Sequence, residues 1–302
     1  MGWASLSIGR GAGGHTSDGL PRGEECSMAS EAQDRATLVL ELGYRGGDFS
    51  GFAEQEGCRT VAGELRGALE TVLHRPVDLV CAGRTDAGVH AIAQYVSVSV
   101  EGEELSLSGR RLLASLTALV PNDMSVRRVL RADEGFSARF DAIERSYRYR
   151  ISCGRARPML LWGHTWWLRP AASLEVSAMN EAAAHLVGEH DFTSFCKVSS
   201  ARMLREDGRS LSRNLSRVQV SATEELGEPL VAIDVTGNAF LHNMVRIITG
   251  TLVEVGRGHR DPAWMREVLE AKDRRAAGQT APPEGLTFTN VCYPESLFSP
   301  WE

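Results

Sequence analysis

The stretch VDLVCAGRTDAGVHAIAQYVSVSV, Val77 to Val100, decides how the chain is read. Two apolar, strand-like runs, Val77 to Val80 and Ile92 to Val100, flank a loop. Between Gly83 and His90 that loop carries two glycines, a cation, a hydroxyl, a carboxylate and an imidazole. Glycines permit positive φ and close backbone approach, and a dense polar set on a tight loop between strands is where rigid scaffolds place chemistry. A plain turn, in which Thr85 and Asp86 satisfy nearby N–H groups, accounts for the same composition. Working outward, Thr60 to Leu73 puts Val61, Leu65, Leu69 and Val72 on one helical face behind a Thr60 N-cap. Thr37 to Leu42 reads as the strand before it. Ser108 to Leu119 reads as a helix stopped by Pro121, and Met124 to Leu130 as a strand. The resulting β-α-β-β-α-β order is that of a ferredoxin-like unit.

The pattern repeats more loosely. Ser146 to Ser152, Leu215 to Ser221, Leu230 to Thr236 and Leu286 to Tyr293 read as strands, and Leu174 to Leu186, Leu241 to Val255 and Pro262 to Ala271 as helices. The fold class is therefore α+β, with two ferredoxin-like (RRM-like) halves whose antiparallel sheets join around a central cleft. Residues 1–35 are expected to be a disordered extension, 36–140 an N-terminal domain carrying the loop, and 141–302 a C-terminal domain. Within the extension, Gly9 to Gly14 matches a dinucleotide-binding glycine pattern by accident, because Gly19, Pro21 and Gly23 forbid the helix that must follow. Met28 is a candidate true start.

A chain of 302 residues with 43% apolar and 24% charged residues is an ordinary globular protein. Its net charge of −6 argues against wholesale polyanion binding, although local basic patches decide that question. Lys197 and Lys272 are the only lysines among 33 basic residues, a bias that base composition alone produces. Six scattered cysteines with no Cys-x-x-Cys pair indicate neither a disulfide framework nor a zinc cluster, and so a reducing compartment. No run reaches the roughly 18 apolar residues of a membrane span, and the N-terminus lacks a signal core. The cytoplasm is the expected location.

Asp86 is the candidate catalyst, since a lone carboxylate serves as nucleophile or base when a cation keeps it ionised. Arg84 lies two residues away, and Thr85 and His90 orient the loop. Tyr147 and Tyr149 alternate on one strand and present one face, either a platform for stacking a base or half-buried sheet aromatics. On the helix from Leu241, His242 and Arg246 share a side away from the apolar stripe. Arg246 either lies along the surface or, if buried, needs a partner such as Asp86. Ser200 to Arg217, with Arg202, Arg205, Arg209, Arg213 and Arg217, reads as a flexible basic loop that runs along a phosphate backbone or is simply solvated. His190-Asp191 with Ser194 lacks the nucleophile-elbow context of a serine hydrolase.

Gly83-Arg84-Thr85-Asp86-Ala87-Gly88-Val89-His90 resembles the signature of the tRNA pseudouridine synthase A family. Further matches are Tyr44…Gly51…Gln55, Phe136 to Phe140, Arg145-Ser146-Tyr147-Arg148-Tyr149, His190-Asp191-Phe192, Phe240 to Arg246 and Pro283 to Leu286. The resemblance implies an isomerase that turns uridine into pseudouridine at positions 38, 39 and 40 of the tRNA anticodon stem-loop. It implies a homodimer with tRNA bridging both subunits, and neither metal nor organic cofactor. By the same resemblance Asp86 is the catalytic aspartate, Arg246 its ion-pair partner, Tyr147 the residue packed on the target base, and Arg84 a holder of the flipped-out nucleotide. The substrate-binding set is then Tyr147, Arg84, His90, Arg205 and Arg209. Departures are Phe52-Ala53 where the family often has Trp-Gln, a longer segment around Arg202 to Asp207, and the N-terminal extension. Rival readings are an RNA-binding protein without catalysis and an N-glycosidic hydrolase that releases free uracil.

Overall fold

Apolar residues on both faces of Arg35–Tyr44 (β1) make it a central strand: seven of its residues in succession, Ala36 to Leu42, are buried. The structure, a computed structural model, describes residues 35–169 and 173–302. The expectations for the N-terminal extension, the Gly9–Gly14 match and Met28 concern residues outside those described, apart from Arg35, which begins β1.

Val61–Leu73 (α1) follows, with Thr60 Oγ1 accepting the Gly63 N–H and Val61, Leu65, Ala68, Leu69 and Leu73 turned inward. Val80–Cys81 (β2) is shorter than the strand expected over Val77 to Val80. Pro76 offers no N–H; the Val77 N–H donates to Glu70 Oε1 and its carbonyl accepts from Arg66, so α1 side chains take the groups a ladder needs. His90–Glu101 (β3), Gly109–Leu119 (α2) and Met124–Ala132 (β4) complete the first quartet of strands. β1 pairs antiparallel with both β3 and β4, and β2 pairs with β3.

The second set runs Glu144–Ser152 (β5), Trp166–Trp167 (β6), Val176–Ala184 (α3), Gly188–Asp191 (β7), Val198–Glu206 (α4), Ser212–Glu225 (β8), Glu228–Gly237 (β9), Met244–Gly256 (α5), Trp264–Ala271 (α6), Leu286–Cys292 (β10) and Ser299–Pro300 (β11). β8 and β9 form a hairpin whose turn uses positive φ at Leu226 and Gly227. The strands form one sheet in the order β11-β4-β1-β3-β10-β5-β9-β8-β7, with β2 on β3 and β6 on β5. The sheet is mostly antiparallel, so the protein is mixed α+β. Its two strand sets are joined in mid-sheet where β10 runs parallel to β3, Thr287 opposite His90 and Phe288 opposite Ala91, and β11 returns to pair with β4 at the edge.

Two expectations are corrected. The basic loop over Ser200 to Arg217 is instead most of α4 and the start of β8. Ala201 and Leu204 lie three apart and face the core while Arg202, Arg205 and Glu206 stay outside; Arg, Met and Leu are good helix formers. Gly208, at φ +66, ends the turn. The helix expected from Leu241 begins only at Met244, because Asn243 adopts a left-handed φ of 64°. Among the described residues no helix is long and apolar enough to cross a membrane.

Candidate active site

The loop between β2 and β3 is held from several sides before any charged partner is considered. Tyr44, at the end of β1, shares a 2.8 Å hydrogen bond between its hydroxyl and Thr85 Oγ1. Phe52 N–H donates to Thr85 O at 3.0 Å, and Val89 N–H to Asp86 O at 3.1 Å. Gly51, at φ +98, passes so close that a Cβ there would sit 3.1 Å from Thr85 O; only glycine meets both conditions without strain. His90 closes the far end: its Nδ1 accepts the Gly46 N–H at 3.0 Å, so its Nε2–H donates to Gly163 O at 2.8 Å. Burial first, then the neighbouring His164, pushes the His90 imidazole down to about 4.

Asp86 emerges from this frame with both oxygens addressed. Oδ2 lies 3.4 Å from Arg246 Nη1, and Oδ1 lies 3.4 Å from His242 Nε2. The carboxylate side chain retains 27% of its surface, enough for a ligand to reach it. Arg246 is itself aimed: Nε donates to Ala281 O at 2.8 Å and Nη1 to Asn243 Oδ1 at 2.9 Å. His242 is steered by Ser200, whose Oγ lies 2.8 Å from Nδ1. Both groups flank the N-terminus of α5, the positive end of its dipole.

Tyr147 stands beside the loop on β5. Its ring lies 5.0 Å from Phe240 edge-on and 4.7 Å from Phe288, between centroids. Its hydroxyl raises well above the usual phenol range, chiefly through burial and next through Tyr44 and Asp86, so Tyr147 packs and does not ionise. Tyr149 is fully buried and donates to Pro282 O at 2.7 Å. Arg145 shares the face of Tyr147 and Tyr149. Among the described residues its buried guanidinium has no carboxylate partner; it donates to the carbonyls of Ala82, of Arg139 and Ala142 before β5, and of Asn238 after β9, tying the loop to two other segments. Burial pushes its pKa down.

Thus Asp86, Arg246 and Tyr147 are brought together, as is His90 through the loop frame. Arg84 is exposed and makes no ion pair among the described residues. Arg205 and Arg209 lie apart on α4 and just after it; Arg205 donates to Thr193 Oγ1 at 3.2 Å. Ser194 is buried and accepts from the Asp273 N–H, with no triad around it among the described residues. Sequence reasoning missed the Ser200–His242 pair, the Phe240–Phe288 wall and the Arg145 carbonyl clamp. Only the last left a signal, since Arg145 shares strand parity with Tyr147. Among the described residues no group of three or more His, Cys, Asp or Glu gathers to hold a metal ion.

A profile of the family described as tRNA pseudouridine synthase matches residues 182–294. The tRNA pseudouridine synthase A of Methylococcus capsulatus is 42% identical over 260 residues, covering 86% of this chain and 90% of that protein. The enzyme of the same name from Streptomyces avermitilis is 40% identical over 278 residues, 88% and 92% of the two chains. That from Geobacillus kaustophilus is 42% identical over 254 residues, 83% and 92%. A solved Cbf5–Nop10–Gar1 complex overlaps 84% of this chain and 48% of its own at 12% identity, with a TM-score of only 0.34. Two identical residues in every five, sustained over nearly the full length of the relatives and of this chain, make the protein a member of the tRNA pseudouridine synthase A family.

Proposed function

We propose that this chain isomerises uridine to pseudouridine in tRNA, at positions 38, 39 and 40 of the anticodon stem-loop, with Asp86 as the catalytic carboxylate. The observation that carries the reading is Asp86, partly exposed and flanked by Arg246 and His242, beside the aromatic wall of Tyr147, Phe240 and Phe288. The reaction breaks the ribose C1′–N1 bond and forms C1′–C5, while C5 gives up a proton and N1 gains one. Nothing is oxidised or reduced, so no redox partner is needed. A base inside a helix is out of reach, and unstacking it costs a few kcal/mol. The detached uracil must then turn without escaping, and Tyr147 supplies the face that retains it. Attack on the sugar, attack on the base and removal of a sugar proton all use the carboxylate oxygens, which lie 3.4 Å from Arg246 and His242.

In this reading Arg84 holds the extruded nucleotide, His90 keeps the loop in place, and Arg205 and Arg209 meet phosphates at the surface. The two strand sets belong to ferredoxin-like halves divided near residues 140 and 141. The enzyme works in the cytoplasm as a homodimer with tRNA across both subunits, which sedimentation of the full chain would test.

The deciding experiment incubates the purified chain with an unmodified tRNA transcript and maps pseudouridine by carbodiimide-dependent primer-extension stops. Stops at the anticodon stem-loop that vanish with Asp86→Asn support the reading. No stops, or stops that survive the substitution, refute it. Free uracil in place of stops would favour a hydrolase.

A further inference from the structure

Beside the catalytic loop, and not including Asp86 in its walls, lies a cavity of about 470 Å³. The end of β1 and the starts of β3 and β4 form its floor, with Arg150 of β5 and the segment bearing Leu161 and His164 opposite. Its charge is out of balance. The two carboxylates in its lining are already committed: Asp123 is held by two 2.8 Å bonds from Arg59, and Glu225 by Arg150 at 2.7 Å and Arg148 at 3.7 Å. Arg45 and Arg127 are exposed and have no carboxylate within ion-pair distance among the described residues; Arg127 bonds only the Ile92 carbonyl, at 2.8 Å. After burial, the positive fields of Arg150 and Arg45 hold the His164 imidazole low. Arg45 and Arg127 thus face the space without an ion pair of their own among the described residues, beside carboxylates that other arginines already hold, an arrangement that suits an added anion. Ile92 and Leu161 add apolar surface, and the volume exceeds what a bare phosphate fills while suiting a group the size of one nucleotide.

We propose that this cavity takes one phosphorylated nucleotide of the RNA substrate, its phosphate met by Arg45, Arg127 and His164 and its sugar and base lying against Ile92 and Leu161. The inference rests on the RNA-substrate reading above. It also gives the cavity a consequence for catalysis. Two of its walls, Tyr44 and His90, pin the catalytic loop: Tyr44 bonds Thr85, and His90, at the end of the loop, accepts from Gly46. A nucleotide seated here bears on both pins, so grip on the RNA is coupled to the setting of Asp86.

The test measures binding of a tRNA transcript to the full chain across a salt series for wild type, Arg45→Ala, Arg127→Ala and Arg45→Lys. Each alanine variant is expected to bind roughly tenfold more weakly and to lose about one unit of the log–log salt slope, while Arg45→Lys keeps the slope. Thermal melts confirm that the variants are folded. As a second readout, UMP should raise the titration midpoint of the His164 ring seen by NMR, because an anion favours imidazolium. Unchanged affinity and slope in both alanine variants would overturn the proposal. So would a UMP response without any change in the tRNA slope, which would assign the cavity to a free nucleotide. Wild type that forms no pseudouridine would instead overturn the reading on which this rests.

Discussion

At Asp86 the two oxygens face groups of different shape: Arg246 presents a planar fork of donors, whereas His242 presents one ring nitrogen. Arg246 also spans three acceptors from one planar fork, reaching Asp86, Asn243 and Ala281. A lysine keeps the charge and loses the fork. Arg246→Lys is therefore expected to lower kcat by about 10- to 100-fold with KM little changed and a melting temperature within a few degrees of wild type. Loss confined to KM would show that Arg246 binds RNA and does not set the carboxylate. His90 makes a stability prediction. Its pKa falls from 6.5 to about 4 on folding, so between those values the unfolded chain binds a proton that the native chain refuses. Stability then rises with pH across that window and is lost on acidification from about pH 6.5 to 4, by about 3 kcal/mol in all. His164, also held low by burial, adds in the same direction. Salt-bridged carboxylates such as Glu104 and Asp123 lose their contribution at lower pH, as they protonate. Urea titrations at pH 7, 5.5 and 4 on wild type and His90→Gln check this; the variant should show a flatter profile over that window.

Among the elements, α1 was fully legible because its signals agree: a Thr60 cap, an apolar stripe and a length of 13 residues. Removing the cap leaves the Gly63 N–H without its side-chain acceptor, so Thr60→Ala should cost about 1 kcal/mol in urea unfolding and leave pseudouridine formation intact. A fall in turnover exceeding the fall in stability would mean that α1 positions the loop through Gly51 and Phe52. Elements were lost where signals conflict or are too short. β6 and β11 span two residues each, below any periodicity. α4 was hidden by its Arg and Ser content, with Ala201 and Leu204 the only inward marks. α5 was read three residues early because nothing in Leu241-His242-Asn243 announces that an asparagine takes the left-handed turn; that turn is what sends His242 and Arg246 to opposite oxygens of Asp86.

Across the whole molecule, the parts of the site could be read from the sequence, but their assembly could be read only in one respect. An arginine on an apolar helix needs a partner if buried, and that need links Arg246 to Asp86 across 160 residues. Phe288 and Phe240 left no such demand, because an aromatic is at home in any core and the pairing of β10 with β3 has no periodic signature. Yet Phe288 sits at the mid-sheet join of the two strand sets: it is fully buried, lies opposite Ala91 of β3 and Tyr147 of β5, and its ring is tilted against that of Tyr147 at 4.7 Å. With Arg145 reaching from β5 to Ala82, and Arg246 from α5 to Asp86, the junction is shared by backbone, packing and charge. Such a junction should make unfolding one cooperative event despite a length at which intermediates are common. Phe288→Ala is expected to destabilise by about 3–5 kcal/mol. Far-UV circular dichroism and tryptophan fluorescence should report the same lowered midpoint, since Trp301 lies on the β4 side and Trp166 on the β5 side. Two separated midpoints, only one of which moves, would mean that the halves fold independently and that the site is assembled only by their docking.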